Sequence, residues 1–161
     1  MRGHLLVHPF ITMKHYPRDL FDPLWSFIEE LIGTGRLLAP NEVLRELSKR
    51  DDDIFKWAKT QKNAFVELDG EQGNVLSEVL AKFPALAEAM KVSPHADPIV
   101  VSLALLITRK QPKEPCMVVT EEKLGGTGSH KVPNVCQQFG LKTITLLDVL
   151  RAEGLKFEIR R

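Results

Sequence analysis

The strongest structural signal in the chain comes from residues 93–123, SPHADPIVVSLALLITRKQPKEPCMVVTEEK. Its segment 99–107 is apolar except for Ser102, a pattern that predicts a helix buried on most of its sides. This segment is also too short to cross a bilayer. The following run, CMVVT at 116–120, predicts a buried strand of a parallel sheet.

Three acids flank these two apolar elements. Asp97 opens the predicted helix, while Glu121 and Glu122 directly follow the predicted strand. Because ligands of open α/β sheets bind at the carboxyl ends of the strands, we expect the acids to meet at that edge. Carboxylate oxygens suit Mg²⁺, so the pattern indicates a metal site. The structural alternatives are an N-cap role for Asp97 and a polar turn for the glutamates.

Length and composition bound the class of protein. A chain of 161 residues predicts one domain spanning 1–161, and 43% hydrophobic residues are enough for a core. The net charge of +1 excludes strong overall attraction to nucleic acid, so RNA binding would depend on local patches. Cys116 and Cys136 lie in apolar surroundings and are expected to be buried thiols of a reducing compartment. The first ten residues have no signal-peptide pattern, so we expect a cytoplasmic protein.

Apolar periodicity predicts an alternation of strands and helices. Strands are expected at 4–8, 36–39, 64–68, 116–120 and 142–146, with an alternating edge strand at 155–159. Helices are expected at 22–32 after an Asp22–Pro23 start, at 40–47, from 51–53 onward, at 74–91 with a break at Pro84, at 97–107, at 133–139 and at 147–151. This alternation predicts an α/β fold with a parallel sheet and helices on both faces.

Several local patterns together carry a family resemblance. They are PNEVLREL at 40–47, HADP at 95–98, VVTEEK at 118–123 and KVPNVCQQFGLKTITLLDVLRAEG at 131–154. The chain resembles the PIN-domain superfamily, and more closely the DUF4411 family of PIN-like proteins, over roughly residues 16–154. The resemblance implies a three-layer α/β/α Rossmann-like fold with a central parallel sheet of four to five strands. It also implies ribonuclease activity of toxin–antitoxin type with Mg²⁺ or Mn²⁺.

The resemblance assigns the acids by position. The helix acid of the family falls on Glu46, the acid that opens the apolar helix on Asp97, and the acid after the strand on Glu122, with Glu121 beside it as a further metal ligand. Glu122 fits the threonine, any residue, acid pattern read from Thr120. The structural alternative for Glu46 is a surface ion pair with the lysine or arginine three or four residues later.

The chain departs from the family at its first strand. PIN proteins end that strand with an aspartate, which here would fall near Leu6, yet no acid precedes Asp19. We expect either a degenerate enzyme or a wrongly started or frameshifted reading frame. A site rebuilt from His8 is disfavoured, because Mg²⁺ prefers oxygen ligands. The prediction is thus a PIN-like metal-dependent endoribonuclease with an impaired site; the alternative is a non-catalytic PIN-fold module that binds RNA or protein.

The expected partners follow from the same reasoning. RNA is the expected substrate, and the resemblance adds a cognate antitoxin and a second copy of the chain; no membrane contact is expected. The glycine-rich loop 124–134, LGGTGSHKVPN, matches neither the P-loop spacing nor GxGxxG. It is expected to lie beside the site, with Lys123 and Lys131 as phosphate contacts.

Overall fold

Short parallel strands alternate with helices along the chain, in a computed structural model that describes residues 5–7, 10–50, 52–114 and 116–158. Within these residues the strands β1 to β5 are Leu5–Val7, Leu37–Pro40, Phe65–Val66, Cys116–Val119 and Lys142–Ile144. The helices α1 to α8 are Arg18–Gly33, Asn41–Ser48, Asp53–Thr60, Gly70–Lys82, Pro84–Val92, Asp97–Lys110, Val132–Gln138 and Leu146–Ala152. The predicted α/β class is confirmed.

The described strands pair in the order β3-β2-β1-β4-β5, and every pair is parallel. Val7 of β1 lies level with Leu38 of β2 on one side and with Val118 of β4 on the other. The chain therefore winds outward in one direction from β1 to β3 and in the other direction from β4 to β5. In such sheets the crevice outside the carboxyl ends, at the reversal point, is where ligands bind.

Helix α6 is the centre of the core. Each of its residues from Pro98 to Leu106 is buried, including Ser102, as its apolar run predicts. The helix packs against α4, α7 and strands β1, β2 and β4. This central position brings the amino-terminal end of α6, with Asp97, to the carboxyl edge of the sheet.

The predicted break between α4 and α5 is confirmed at Pro84, which is the first residue of α5. A proline is tolerated in the first turn of a helix but removes a hydrogen bond from its interior. Helix α4 is joined to α6 by a buried polar contact. The Gln72 side-chain amide donates to the carbonyl of Ile99 at 3.2 Å and to the Ser102 hydroxyl at 3.3 Å.

The predicted helix start at Asp22–Pro23 lies inside α1, at a kink that joins two helical parts. A helical turn from Arg18 precedes the kink, and Pro23 lies in the first turn of the part that follows it, as predicted. The ring of a helical proline clashes with the carbonyl four residues earlier, which distorts the preceding turn. The distortion is visible at Phe21, whose φ of −123° and ψ of 33° are not helical. The Asp22–Pro23 pair therefore marks a kink within the helix.

The prediction of an edge strand at 155–159 is wrong for residues 155–158, which the structure describes and which form no strand. Helix α8 ends in a turn at Gly154, where φ is +76°. The N–H of Leu155 bonds back to the Leu150 carbonyl at 2.9 Å, a typical helix-ending contact. Leu155 packs against the core from this turn, so its apolar character reflects helix termination. Ile159 lies outside the described residues.

Strand β5 is shorter than predicted, because Thr145 belongs to the next helix. The Thr145 hydroxyl accepts a hydrogen bond from the N–H of Asp148 at 3.2 Å and so caps α8. This leaves Lys142–Ile144 as the strand. Its register, with Ile144 level with Val119, aligns the carboxyl ends of β4 and β5.

Both cysteines are buried, as predicted. Cys116 is 2% exposed and Cys136 is fully buried, and burial raises the pKa of each thiol to about 12. They are therefore thiols that resist deprotonation. In the part of the chain that the structure describes, no helix is both long and apolar enough to span a bilayer.

Candidate functional site

A hollow of about 260 Å³ lies at the carboxyl edge of the sheet, where the strand order reverses. Its floor is the end of β4, and its walls are the start of α6, the start of α7 and the 3-10 turn after β1. The lining consists of Thr12, Asp97, Val100, Val132 and residues 118–122. We call it the carboxylate hollow. It brings together Asp97, Glu121 and Glu122, as the sequence predicts.

Asp97 is the first residue of α6, and Ala96 is the N-cap residue. The N-cap alternative for Asp97 is therefore wrong, and no side chain of the N-cap residue satisfies the first amides of this helix. The pKa of Asp97 is raised, first by burial and then by the negative charges of Glu122 and Glu46, while His95 acts in the opposite direction. Glu122 and Glu46 are thus each close enough to repel the charge of Asp97.

Glu46 approaches the same helix end from α2. Its Oε1 accepts a hydrogen bond from the Ala96 N–H at 2.6 Å. This bond supplies the N-terminal acceptor that Ala96 itself lacks. The alternative ion pair with Lys49 or Arg50 is absent from the described residues. Glu46 does not line the carboxylate hollow; it lines a neighbouring depression with His95.

Glu122 and Glu121 each accept a hydrogen bond from the start of another helix. Glu122 Oε2 accepts from the N–H of Val132, the first residue of α7, at 2.8 Å. Glu121 Oε1 accepts from the N–H of Leu146, the first residue of α8, at 3.0 Å. Carboxylates are favourable at helix N-termini, so both bonds stabilise the layout of the edge. The Glu122 N–H also donates to Thr120 Oγ1 at 3.1 Å.

The acids supply the oxygen ligands that a hard cation prefers, but their side chains do not lie close enough together to form a metal site. Each glutamate uses one carboxylate oxygen for a helix amide and keeps a second oxygen. Within the described residues, no three His, Cys, Asp or Glu side chains come close enough together to hold a metal ion. The oxygen-only donors match the preference of Mg²⁺ or Mn²⁺ for carboxylates.

The two lysines predicted to contact phosphate flank the loop between β4 and α7. Lys123 and Lys131 are both exposed, and Lys131 is the N-cap residue of α7. Among the described residues neither lysine forms an ion pair, so both charges face solvent near the acids. The backbone of Leu6 is described as part of β1, but its side chain is not, and His8 lies outside the described residues.

Two residues of this region were not singled out from the sequence. Thr12 lines the carboxylate hollow from the turn after β1, a place where any polar residue following a parallel strand is a candidate. Asn134 holds the glycine-rich loop: its side-chain oxygen accepts from the Gly125 N–H at 2.8 Å, and its amide donates to the Gly125 carbonyl at 3.1 Å. The sequence around Pro133–Asn134 does not predict this contact, because it depends on the path by which the loop returns to Gly125.

The family comparison covers nearly the whole of this architecture. The family described as a domain of unknown function, DUF4411, matches residues 7–157. The chain belongs to the DUF4411 family. The DUF4411 match includes Glu46, Asp97, Glu121 and Glu122, together with the loop that follows β4. Neither a curated protein nor a solved structure matches the chain.

Proposed function

We propose that this DUF4411 protein is a PIN-like, metal-dependent endoribonuclease of toxin–antitoxin type with an impaired site. The proposed fold is a three-layer, Rossmann-like PIN domain. The observation that carries the proposal is the carboxylate hollow, which lies where the strand order reverses and is lined by Asp97, Glu121 and Glu122. That crevice is the place where open α/β sheets bind ligands.

Electrostatics support a site that handles charge. Asp97 is half-buried beside two other carboxylates, and its pKa is raised first by burial and then by the like charges of Glu122 and Glu46. Perturbed carboxyl groups in a cleft are more frequent at functional sites than elsewhere. A cation or a proton would relieve this repulsion, whereas an apolar ligand would increase it.

By the family resemblance, Asp97, Glu122 and Glu46 would hold the cation, with Glu121 beside them. Glu46 would have to turn from its neighbouring depression toward the carboxylate hollow to take part. A bound Mg²⁺ or Mn²⁺ supplies a water of lowered pKa and neutralises charge on the scissile phosphate. The helix amides at Ala96 and Val132 hold Glu46 and Glu122 in place through one oxygen each. Lys123 and Lys131 would attract the RNA backbone from the adjoining loop. Because the first-strand acid is missing, fewer carboxylates surround the cation, and we expect weak metal affinity.

A second candidate is a non-catalytic PIN-fold module that binds RNA or a partner protein. It is favoured by the bonds that Glu46, Glu121 and Glu122 make with the starts of three helices. These bonds give each glutamate a structural role that requires no metal. The fold can then keep its acids after catalysis is lost.

The test is cleavage of labelled single-stranded RNA with Mg²⁺, with Mn²⁺ and with chelator, in the native protein and in Asp97→Asn. Asp53→Asn is the matched control, because Asp53 is a fully exposed acid at the start of α3. Metal-dependent cleavage that is lost in Asp97→Asn and kept in Asp53→Asn supports the proposal. Equal cleavage in all three proteins rules out the site, and RNA binding without cleavage supports the non-catalytic candidate.

A gain-of-function variant examines the impaired strand. Leu6→Asp places an acid at the position where the family resemblance expects one, and Val7→Asp covers the next register. Val7 lies level with Val118, close to the carboxyl end of β4. If either variant cleaves RNA faster than the native protein and Asp97→Asn abolishes that gain, the missing acid explains the weak activity. If both variants fold and neither gains activity, that explanation is wrong.

A further inference from the structure

A second hollow, of about 530 Å³, lies beside the loop that follows the site acids. It is open to solvent and is bordered by the end of α4, the loop 124–129 and residues of α7. Its volume falls within the range of small-molecule sites, roughly 300–1,000 Å³. We propose that this loop hollow binds one unpaired nucleotide of an RNA strand, next to the nucleotide whose phosphate enters the carboxylate hollow.

The loop that forms one wall is fixed at its base. The Glu122 carboxylate holds the N–H of Val132 at 2.8 Å, which closes the loop where the site acids begin. Further out, Asn134 makes two hydrogen bonds to the backbone of Gly125. The two hollows therefore share one loop, and a strand that passes along it can contact both.

Gly125 lies at the tightest point of the loop. A Cβ at this position would come within 2.4 Å of Ser129 Oγ and 2.7 Å of Ser129 Cβ. Gly126, directly beside it, has open space where its Cβ would lie. The turn is thus packed on the Ser129 side and open on the other, so its outer backbone is available to a ligand.

Residues with available hydrogen-bond donors line the hollow from the loop and from α4. In the described chain, the N–H groups of Gly126, Thr127 and Gly128 donate to no protein acceptor. Lys82 adds a cation at the end of α4; its Nζ is held by the Gln138 carbonyl at 3.2 Å and lies 5.0 Å from the centre of the Phe139 ring. An ammonium group has three donors, so Lys82 keeps capacity for a phosphate oxygen.

The remaining lining suits a base. Phe83 and Leu124 are apolar, and Leu124 is 59% exposed, so part of the apolar lining is open to a ligand. Gln137 and Gln138 present side-chain amides, each with donors and an acceptor. Proteins recognise unpaired RNA bases by contact with aromatic and apolar side chains and by hydrogen bonds to the base edges. A bare phosphate would use only the Lys82 side and the loop amides.

The inference rests on the proposed function for its choice of RNA, but its test does not require cleavage. The probe is the Asp97→Asn protein in chelator, titrated with each of the four nucleoside monophosphates and with inorganic phosphate. The readout is the backbone amide NMR signals of Gly126, Thr127 and Gly128. We expect these signals to shift with a nucleotide and to shift less with phosphate at the same concentration.

Two variants and one matched control make the assignment specific. Lys82→Gln should weaken nucleotide binding by roughly tenfold, the size expected for one charge-assisted hydrogen bond. Lys59→Gln is the control, because Lys59 is an exposed lysine placed over Phe55 much as Lys82 is placed over Phe139. Gln137→Ala, on the exposed face of α7, should change the order of preference among the four bases.

The possible results separate the two proposals. Nucleotide binding at these amides, when the native protein with Mg²⁺ or Mn²⁺ cuts no RNA, supports the loop hollow and counts against the nuclease. Cleavage by the native protein, together with loop amides that no nucleotide shifts, overturns the loop hollow alone. If inorganic phosphate shifts the loop amides as much as a nucleotide does and binds with the same affinity, the hollow is an anion site without base recognition. If Lys59→Gln weakens nucleotide binding as much as Lys82→Gln does, the attraction is non-specific. Either result overturns the inference.

Discussion

The Oε1 atom of Glu46 accepts a hydrogen bond of 2.6 Å from the N–H of Ala96, a residue 50 positions further along the chain. This bond joins α2 to the amino-terminal end of α6, the most deeply buried helix, and brings a second negative charge close to Asp97. Glu46 thus stabilises the helix that presents Asp97 and at the same time raises the pKa of Asp97. Its structural and chemical roles can be separated by experiment.

Glu46→Ala should lower the free energy of unfolding by about 1–2 kcal/mol, the usual cost of losing an N-terminal acceptor. Glu46→Gln keeps a side-chain oxygen that can accept from Ala96 and should cost less. Urea unfolding measures both, with Glu88→Ala as the control because Glu88 is exposed. If the nuclease proposal holds, both Glu46 variants lose metal-dependent cleavage. Equal destabilisation by alanine and glutamine would show that the charge, and not the acceptor, matters.

Asp97→Asn should stabilise the protein at neutral pH. The folded-state pKa of Asp97 is raised, so ionising this carboxyl costs more in the folded chain than in the unfolded chain. That cost is absent below the ordinary aspartate pKa of about 3.9, grows as the pH rises through it, and is complete above the raised value. The gain in melting temperature should therefore be present at pH 7 and vanish near pH 3. A gain of the same size at both values would contradict an electrostatic origin.

Gly125→Ala should disturb the loop hollow, and Gly126→Ala should not. The new methyl group at position 125 meets Ser129 at a distance that atoms do not tolerate, whereas the methyl group at 126 has open space. We expect overpacking of about 1–3 kcal/mol at position 125, seen as shifted loop amides and weaker nucleotide binding. Adding Ser129→Gly should relieve the clash and return the loop signals toward those of the native protein. Similar effects from both alanine variants would refute the packing account.

Gln72→Ala should destabilise the protein by about 2–4 kcal/mol, because it removes buried volume and the contacts with Ile99 and Ser102. Ser102→Ala measures the other end of the contact, and the double variant should lose less than the sum of the two single variants. Gln111→Ala, at an exposed position, should change stability by no more than about 0.5 kcal/mol. Additive losses would mean that the Gln72–Ser102 bond contributes little.

Local patterns predicted the elements that form the core. The apolar run of α6 and the strand β4 are where the sequence places them, because burial of these segments requires an uninterrupted series of apolar residues. The break at Pro84 follows from the missing N–H of proline. The Asp22–Pro23 pair predicted the part of α1 that follows the kink at Phe21, because proline suits the first turn of a helix. The helical turn before the kink was not predicted.

The end of the chain shows the limit of periodicity. Alternating apolar residues from Leu155 predicted a strand, but a strand requires a partner edge as well as a pattern. Here the turn at Gly154 directs Leu155 onto the core, where it is partly buried. Alternation of apolar and polar residues therefore does not distinguish a paired strand from a segment that ends a helix and packs only its first residue on the core.

Sequence patterns alone predicted the α/β class, the buried helix α6, the strand β4, and the meeting of Asp97, Glu121 and Glu122 at one edge of the sheet. These features follow from hydrophobic periodicity and from the rule that parallel strands end at a common edge. The folded chain was needed to show that Glu46, Glu121 and Glu122 each bind the start of a helix, and that the loop after Glu122 borders a second hollow. Those contacts join residues far apart in the chain, and no local pattern specifies which distant amide a carboxylate will meet.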